Sequence, residues 1–202
     1  MRRNMGRTIL LALLAHAAHG DSPVLSAEAF RPAVADYLQD KGHLCLGKFD
    51  WPISVSARDR QAGTKDAVQM PVLEKYGLVV SSAAGEPGGR LYALSDAGRK
   101  YYLRKKTVTH GAGDEAVVHA GDLCGAVIQL EHVVTWEAPE IVDGRPQTTV
   151  KYTYRIVQPA DWILEADINR VFPMVHRVLA GAGSLQLEQA FRWSETRWAS
   201  VD

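Results

Sequence analysis

The sequence predicts an α+β protein in two parts: a helix-and-hairpin unit over residues 21–106, then an antiparallel three-stranded sheet packed on a kinked helix over residues 107–202. Three observations carry this. Apolar residues Ala29, Phe30, Ala33, Val34 and Leu38 recur at helical spacing. Two long runs alternate apolar and polar residues around Asp143-Gly144, a turn dipeptide. A helical stretch from Trp162 to Leu179 is interrupted at Phe172-Pro173, where the ring removes an amide and restricts the residue before it.

In chain order, Arg2, Arg3 and Arg7 precede an apolar run from Ile9 to Ala15, followed by small residues at Ala17, Ala18 and Gly20. This is the layout of a secretory signal peptide over residues 1–20, cut near Gly20 or Asp21, with Ala17 as the other candidate. The run is about half of the roughly 20 apolar residues that a membrane span needs. No cysteine stands at the junction, so no membrane anchor is expected after cleavage, and the expected location is periplasmic or secreted. Ser26 caps a first helix that tolerates Pro32 in its first turn and ends at Gly42. Trp51–Val55 reads as a short strand, and a polar stretch follows. Pro71 opens a short helix to Tyr76 that stops at Gly77. Strands at Leu78–Ser82 and Arg90–Leu94 flank a connection rich in Gly and Pro, and Ser95 caps a helix from Asp96 to about Arg104.

Leu73-Glu74-Lys75-Tyr76-Gly77-Leu78-Val79 and Arg90-Leu91-Tyr92-Ala93-Leu94-Ser95-Asp96-Ala97-Gly98-Arg99 resemble the end of a winged-helix domain, so the first part is expected to be winged-helix-like. In that family the wing and the helix before it commonly contact DNA, and the resemblance implies Lys75, Arg90, Arg99 and Lys100 as the corresponding positions. About 20 residues separate Val55 from Gly77, fewer than two helices of about 11 residues and a turn would use, which predicts a truncated recognition helix. With export, this makes the wing architecture and excludes nucleic acid as a partner.

Thr107–Gly121 reads as a polar segment. Ala126, Ile128, Leu130, Val134 and Trp136 then form one face of a strand, and Thr148, Val150, Tyr152, Tyr154 and Ile156 one face of a second. Asp161 is the candidate cap of the kinked helix, Gly181 and Gly183 end it, and Leu185, Leu187, Phe191 and Trp193 mark the third strand. The architecture resembles cystatin-like curled sheets, a likeness that transfers no function. The turns Leu44-Cys45-Leu46-Gly47-Lys48 and Leu123-Cys124-Gly125, the stretch Tyr92–Tyr102 and Thr149–Tyr154 are similar to small exported or lipoprotein-type proteins of Gram-negative bacteria without assigned activity.

Cys45 and Cys124 are the two cysteines of the chain, and in an oxidising compartment such a pair is most simply a disulfide. The alternative is two unpaired buried thiols. Removing the three arginines of the leader leaves 20 basic against 23 acidic residues, a net charge of −3 that argues against a polyanion partner. His43, His110, His119, His132 and His176 lack the spacing of a zinc site, so no metal is expected. Asp114, Glu115 and His119 lie close enough to cluster, though a solvated loop is the ordinary reading, and His132 falls on the apolar face of its strand.

There is no Gly-x-Ser-x-Gly elbow and no phosphate loop, so no catalytic residue and no cofactor are assigned. Trp136, Tyr152, Tyr154, Phe191 and Trp193 either form core under a helix or line an apolar groove for a peptide, a lipid or another subunit. The sequence thus points to a noncatalytic envelope protein that binds an unidentified protein or envelope component. An envelope hydrolase and a winged-helix regulator with an uncleaved N-terminus are the alternatives.

Overall fold

The protein is described by a computed structural model covering residues 23–111, 113 and 115–201; residues 1–20, where a signal peptide is expected, and Asp114 lie outside the described residues. Helix α1, Ala27–Lys41, begins at Ser26, whose hydroxyl accepts the Ala29 N–H at 3.1 Å. Phe30, Val34 and Leu38 bury one stripe of it, as their spacing dictates. Pro32 falls in the second turn rather than the first, where its missing amide costs one helical bond. Gly42 ends the helix, and a Cβ there would stand 2.5 Å from the carbonyl oxygen of Ile128, so only glycine lets the chain turn this close to the sheet. Strand β1, His43–Cys45, follows at once.

The chain then leaves the sheet. Strand β2 (Ile53–Val55), helix α2 (Ala57–Ala62), helix α3 (Lys65–Lys75), strand β3 (Val79–Ala83) and strand β4 (Arg90–Leu94) form a unit whose strands are ordered β2-β4-β3. The polar stretch expected after Val55 contains α2, opened by a capping box between Ser56 and Asp59. Helix α3 starts six residues before Pro71, so the proline lies inside it instead of opening it. Its end is a Schellman arrangement, in which Leu78 N–H bonds Leu73 O at 3.0 Å, Gly77 N–H bonds Glu74 O at 2.9 Å and Gly77 takes φ +70°. Helix α4 is short, Asp96–Arg99, because strand β5 (Tyr102–Leu103) is drawn onto the large sheet.

Thr107–Gly121, expected as a polar segment, carries a two-stranded ribbon of β6 (Thr107–His110) and β7 (Ala116–His119). Strand β8 (Asp122–Trp136) returns the chain to the sheet. Strands β9 (Glu140–Val142) and β10 (Arg145–Val157) meet at Asp143 (φ 51°) and Gly144 (φ 74°), the left-handed pair of a type I′ turn. A 3-10 turn at Asp161–Leu164 precedes helices α5 (Ala166–Val171) and α6 (Pro173–Gly181). The break at Phe172-Pro173 is where the sequence places it, whereas Asp161 is not a cap; Ala160 holds that position without a side-chain bond. Strands β11 (Leu187–Trp193) and β12 (Trp198–Ser200) follow.

The result is a mixed α and β fold with a curled antiparallel sheet. The sheet has seven strands rather than the expected three, ordered β1-β8-β10-β11-β12, with β5 beside β8 and β9 beside β10. Strand β8 is bulged twice against β10, between the pairs Thr153–His132 and Tyr154–Leu130 and again at Lys151–Tyr152. Each bulge shifts the period of two, so Val133 turns inward opposite Tyr152 while Val134 is exposed. The same shift leaves His132 exposed, not on the apolar face.

Two apolar clusters hold these layers. In one, Phe30, Ala33, Val34 and Leu38 of α1 pack on Val150, Tyr152, Phe191 and Trp198, so the helix over this part of the sheet is α1 and not the kinked helix of the second half. In the other, Val55, Met70, Leu73, Leu78, Tyr92 and Leu94 of the β2-β4-β3 unit join Trp162, Ile163, Ile168, Phe172 and Val175 around α5 and α6. Gly98 makes the tightest approach, since a Cβ there would lie 1.9 Å from the Leu78 carbonyl oxygen, while Gly85 has open space. Gly98→Ala is expected to lose about 1–3 kcal/mol in urea unfolding, and Gly85→Ala to stay within about 0.5 kcal/mol of the parent. Equal losses would contradict this packing.

Candidate functional site

Cys45 and Cys124 face each other across β1 and β8 and are joined by a disulfide that spans 79 residues of sequence. Both halves of the cystine are partly exposed, but the residues beside them are core: Leu44, Leu46 and Leu123 are buried. Asp122 completes the closure. Its buried carboxylate accepts the backbone N–H groups of Gly47 at 3.1 Å, Lys48 at 2.7 Å and Leu123 at 2.7 Å. Burial pushes its pKa up, and those three amides work in the opposite direction. The Lys48 side chain is 4% exposed and ion-pairs with Asp66; burial lowers its pKa, and Asp66 opposes the shift.

Three clefts converge on His43, the first residue of β1. The largest, about 640 Å³, runs between the Arg31–Ala35–Gln39 stripe of α1 and residues 127–131 of β8, with Arg155 at its rim. A second, about 470 Å³, opens over Cys124 and is lined by Lys100, Arg104 and Gln158. The third, about 410 Å³, opens over Cys45 beside Asp40, Lys105 and Lys106. Partial burial holds the His43 imidazole below its ordinary pKa, and the Lys105 ammonium adds to the shift, so the ring favours the neutral form. Lys105 itself is satisfied by Asp40, whose pKa it depresses.

The aromatic residues singled out by the sequence fall into two settings. Tyr152 and Phe191 are buried in the cluster under α1, with Trp136 and Trp193 half-buried against its margin. Phe30 brings α1 onto this aromatic set, 5.3 Å from Trp136 and 5.0 Å from Trp198 between ring centroids. Tyr154 is fully buried and donates its hydroxyl to the Val178 carbonyl of α6 at 2.8 Å. His110, His132 and His176 are exposed singly. Among the described residues no group of three or more His, Cys, Asp or Glu could hold a metal ion.

His119 does not cluster with Glu115; it joins residues that sequence spacing gave no reason to pair. Its Nδ1 lies 2.8 Å from the Asp50 carboxylate, its Nε2 lies 2.8 Å from the Thr109 hydroxyl, and Phe49 stacks on the ring at 4.2 Å. Hydroxyl, imidazole and carboxylate stand in the order of a nucleophilic triad, but none of the three lines the clefts around His43. The chain of bonds ties the β6–β7 ribbon to the Phe49–Asp50 loop. The Lys48–Asp66 pair is equally hidden from the sequence, because it depends on the first turn of α3, which lies ahead of the helix start expected at Pro71. Comparison with protein-family models, with curated proteins and with solved structures found no match for this chain.

Two expectations follow from this geometry. Closing a loop of roughly 80 residues is worth on the order of 4 kcal/mol by chain entropy. Cys45→Ser and Cys124→Ser should therefore each lose stability by that order in urea unfolding under oxidising conditions, and the double variant should lose no more than either single one. Additive losses would mean that the two thiols act separately.

His43 gives the second. Its folded pKa lies below its unfolded value, so the unfolded chain takes up the proton first. The histidine's effect is constant above its unfolded pKa near 6.5 and becomes destabilising as pH falls from there through the lower folded value. In melting temperatures measured from pH 7.5 to 5, His43→Gln should show a shallower acid loss than the parent; parallel curves would contradict the assignment.

Proposed function

We propose that this chain is an exported protein of the cell envelope that acts by binding rather than by catalysis. The observation that carries the reading is the cystine between β1 and β8, which fits an oxidising extracellular compartment. Support comes from the leader-like order of Arg2, Arg3 and Arg7, the Ile9–Ala15 run and the small residues up to Gly20. Among the described residues no helix is long and apolar enough to cross a membrane. The clefts around His43 are the surfaces on which a ligand or envelope component would be held, since concave sites of roughly 300–1,000 Å³ are where small ligands usually bind.

The β2-β4-β3 unit takes the role of a winged-helix-like scaffold in this reading, not of a DNA reader. Support lies in how three of its four candidate contact residues are used. Lys75 pairs with Asp167, Arg99 with Asp96, and Arg90 donates to the Ser81 hydroxyl. The apolar side of α3, through Met70 and Leu73, is sealed in the cluster that contains α5, and Gln69 donates to the Val171 carbonyl at 2.7 Å. The net charge of −3 after removal of the leader points the same way.

Cell fractionation with mass spectrometry of the mature N-terminus tests the reading. The expected product is periplasmic or secreted and begins near residue 20. A cytoplasmic protein that keeps Met1 would overturn export and return the regulator to consideration.

A further inference from the structure

The cleft beside Cys124 differs in charge from its two neighbours. Lys100 and Arg104 line it, and no carboxylate does, whereas the α1 cleft contains Glu131 and the cleft over Cys45 contains Asp40 and Asp122. The cations on either side of this pair in sequence are neutralised, Arg99 by Asp96 and Lys105 by Asp40, while among the described residues neither Lys100 nor Arg104 forms an ion pair. Two cations without an ion pair of their own focus a positive potential into the recess they line.

The rest of the lining suits recognition. Gln158 stands on the rim with φ +49°, the left-handed region that a residue other than glycine occupies at a cost of order 1–3 kcal/mol and that recurs at ligand clamps. His43, held toward its neutral form, lines the cleft without adding a third charge. Val127 and Tyr101, whose ring also packs edge-on against Trp162, supply apolar lining, and about 470 Å³ is room for one ring or a short chain with its charged head.

We propose that this cleft binds a small phosphate monoester, its dianionic head between Lys100 and Arg104 and its organic part against Tyr101 and Val127. The two cations match the charge of the dianion, and the planar guanidinium offers a fork to two of its oxygens. The assignment rests on the reading of the protein as a binding protein and names the ligand class of one of its clefts. It requires no chemical step.

Calorimetric titration of the disulfide-bonded mature protein with phenyl phosphate tests it, alongside inorganic phosphate and vesicles of phosphatidylglycerol. The expected result is saturable binding of phenyl phosphate, weaker binding of inorganic phosphate, and no binding to vesicles. Lys100→Gln and Arg104→Gln, both at exposed positions, should each weaken phenyl phosphate by on the order of tenfold with the melting temperature unchanged, and Arg104→Lys should fall between. Absence of saturable phenyl phosphate binding, or equal affinity in the Lys100→Gln/Arg104→Gln variant, would overturn the site. Binding only to vesicles would overturn the small ester in favour of a lipid headgroup. In a correctly exported and oxidised protein, either failure removes the ligand class alone and leaves the binding-protein reading standing.

Discussion

The structure depends on one closure. Strand β1 is only three residues long, yet between it and its neighbour β8 the chain makes an excursion through α2, α3, the β2-β4-β3 unit and the β6–β7 ribbon. A three-residue pairing offers little to oppose the entropy of so long a loop. The Cys45–Cys124 bond makes the return covalent at the point where the excursion begins and ends. Asp122 repeats the closure with hydrogen bonds, gathering the amides of Gly47 and Lys48, the first residues after the chain turns away. Burying that carboxylate is costly unless it is satisfied, and the three amides satisfy it.

From this closure the two apolar clusters acquire their relation. Helix α1 runs directly into β1 through Gly42, so anchoring β1 also fixes how α1 lies on Val150, Tyr152 and Phe191. On the other side, Leu44, Leu46 and Leu123 extend from the cystine into the cluster that seals the β2-β4-β3 unit against α5 and α6. The clefts around His43 are what remains where these parts meet without filling the space. Their charges follow from local pairing: Asp40 satisfies Lys105, and Lys100 and Arg104 are left facing the cleft over Cys124.

The sequence was legible where a local rule acts alone. Ser26 and Ser95 cap the helices that they precede, Gly77 ends α3, Asp143-Gly144 makes its turn, and Pro173 breaks the helical stretch. It misled where distant pairing overrides local pattern. Helix α4 stops at Arg99 because the β8 edge claims Tyr102 and Leu103, and the bulges of β8 invert the inward assignment of Val134 and His132. The polar stretch around α2 hid a helix that rests on capping rather than on apolar spacing, since none of its residues is buried. Of the site, the cystine could be read from compartment logic. The Asp50–His119–Thr109 chain and the meeting of three clefts at His43 could not, because they join residues tens of positions apart with no periodicity to relate them.

The closure rests on the redox state of one pair of sulfurs in the protein as the cell makes it. Differential alkylation of protein taken from the cells that make it, blocked before any reduction and then mapped by mass spectrometry, measures it directly. Cys45 and Cys124 should both be protected, and their peptides should emerge joined. Alkylation of both positions before reduction would contradict it, and with it the oxidising compartment from which the proposed function is argued.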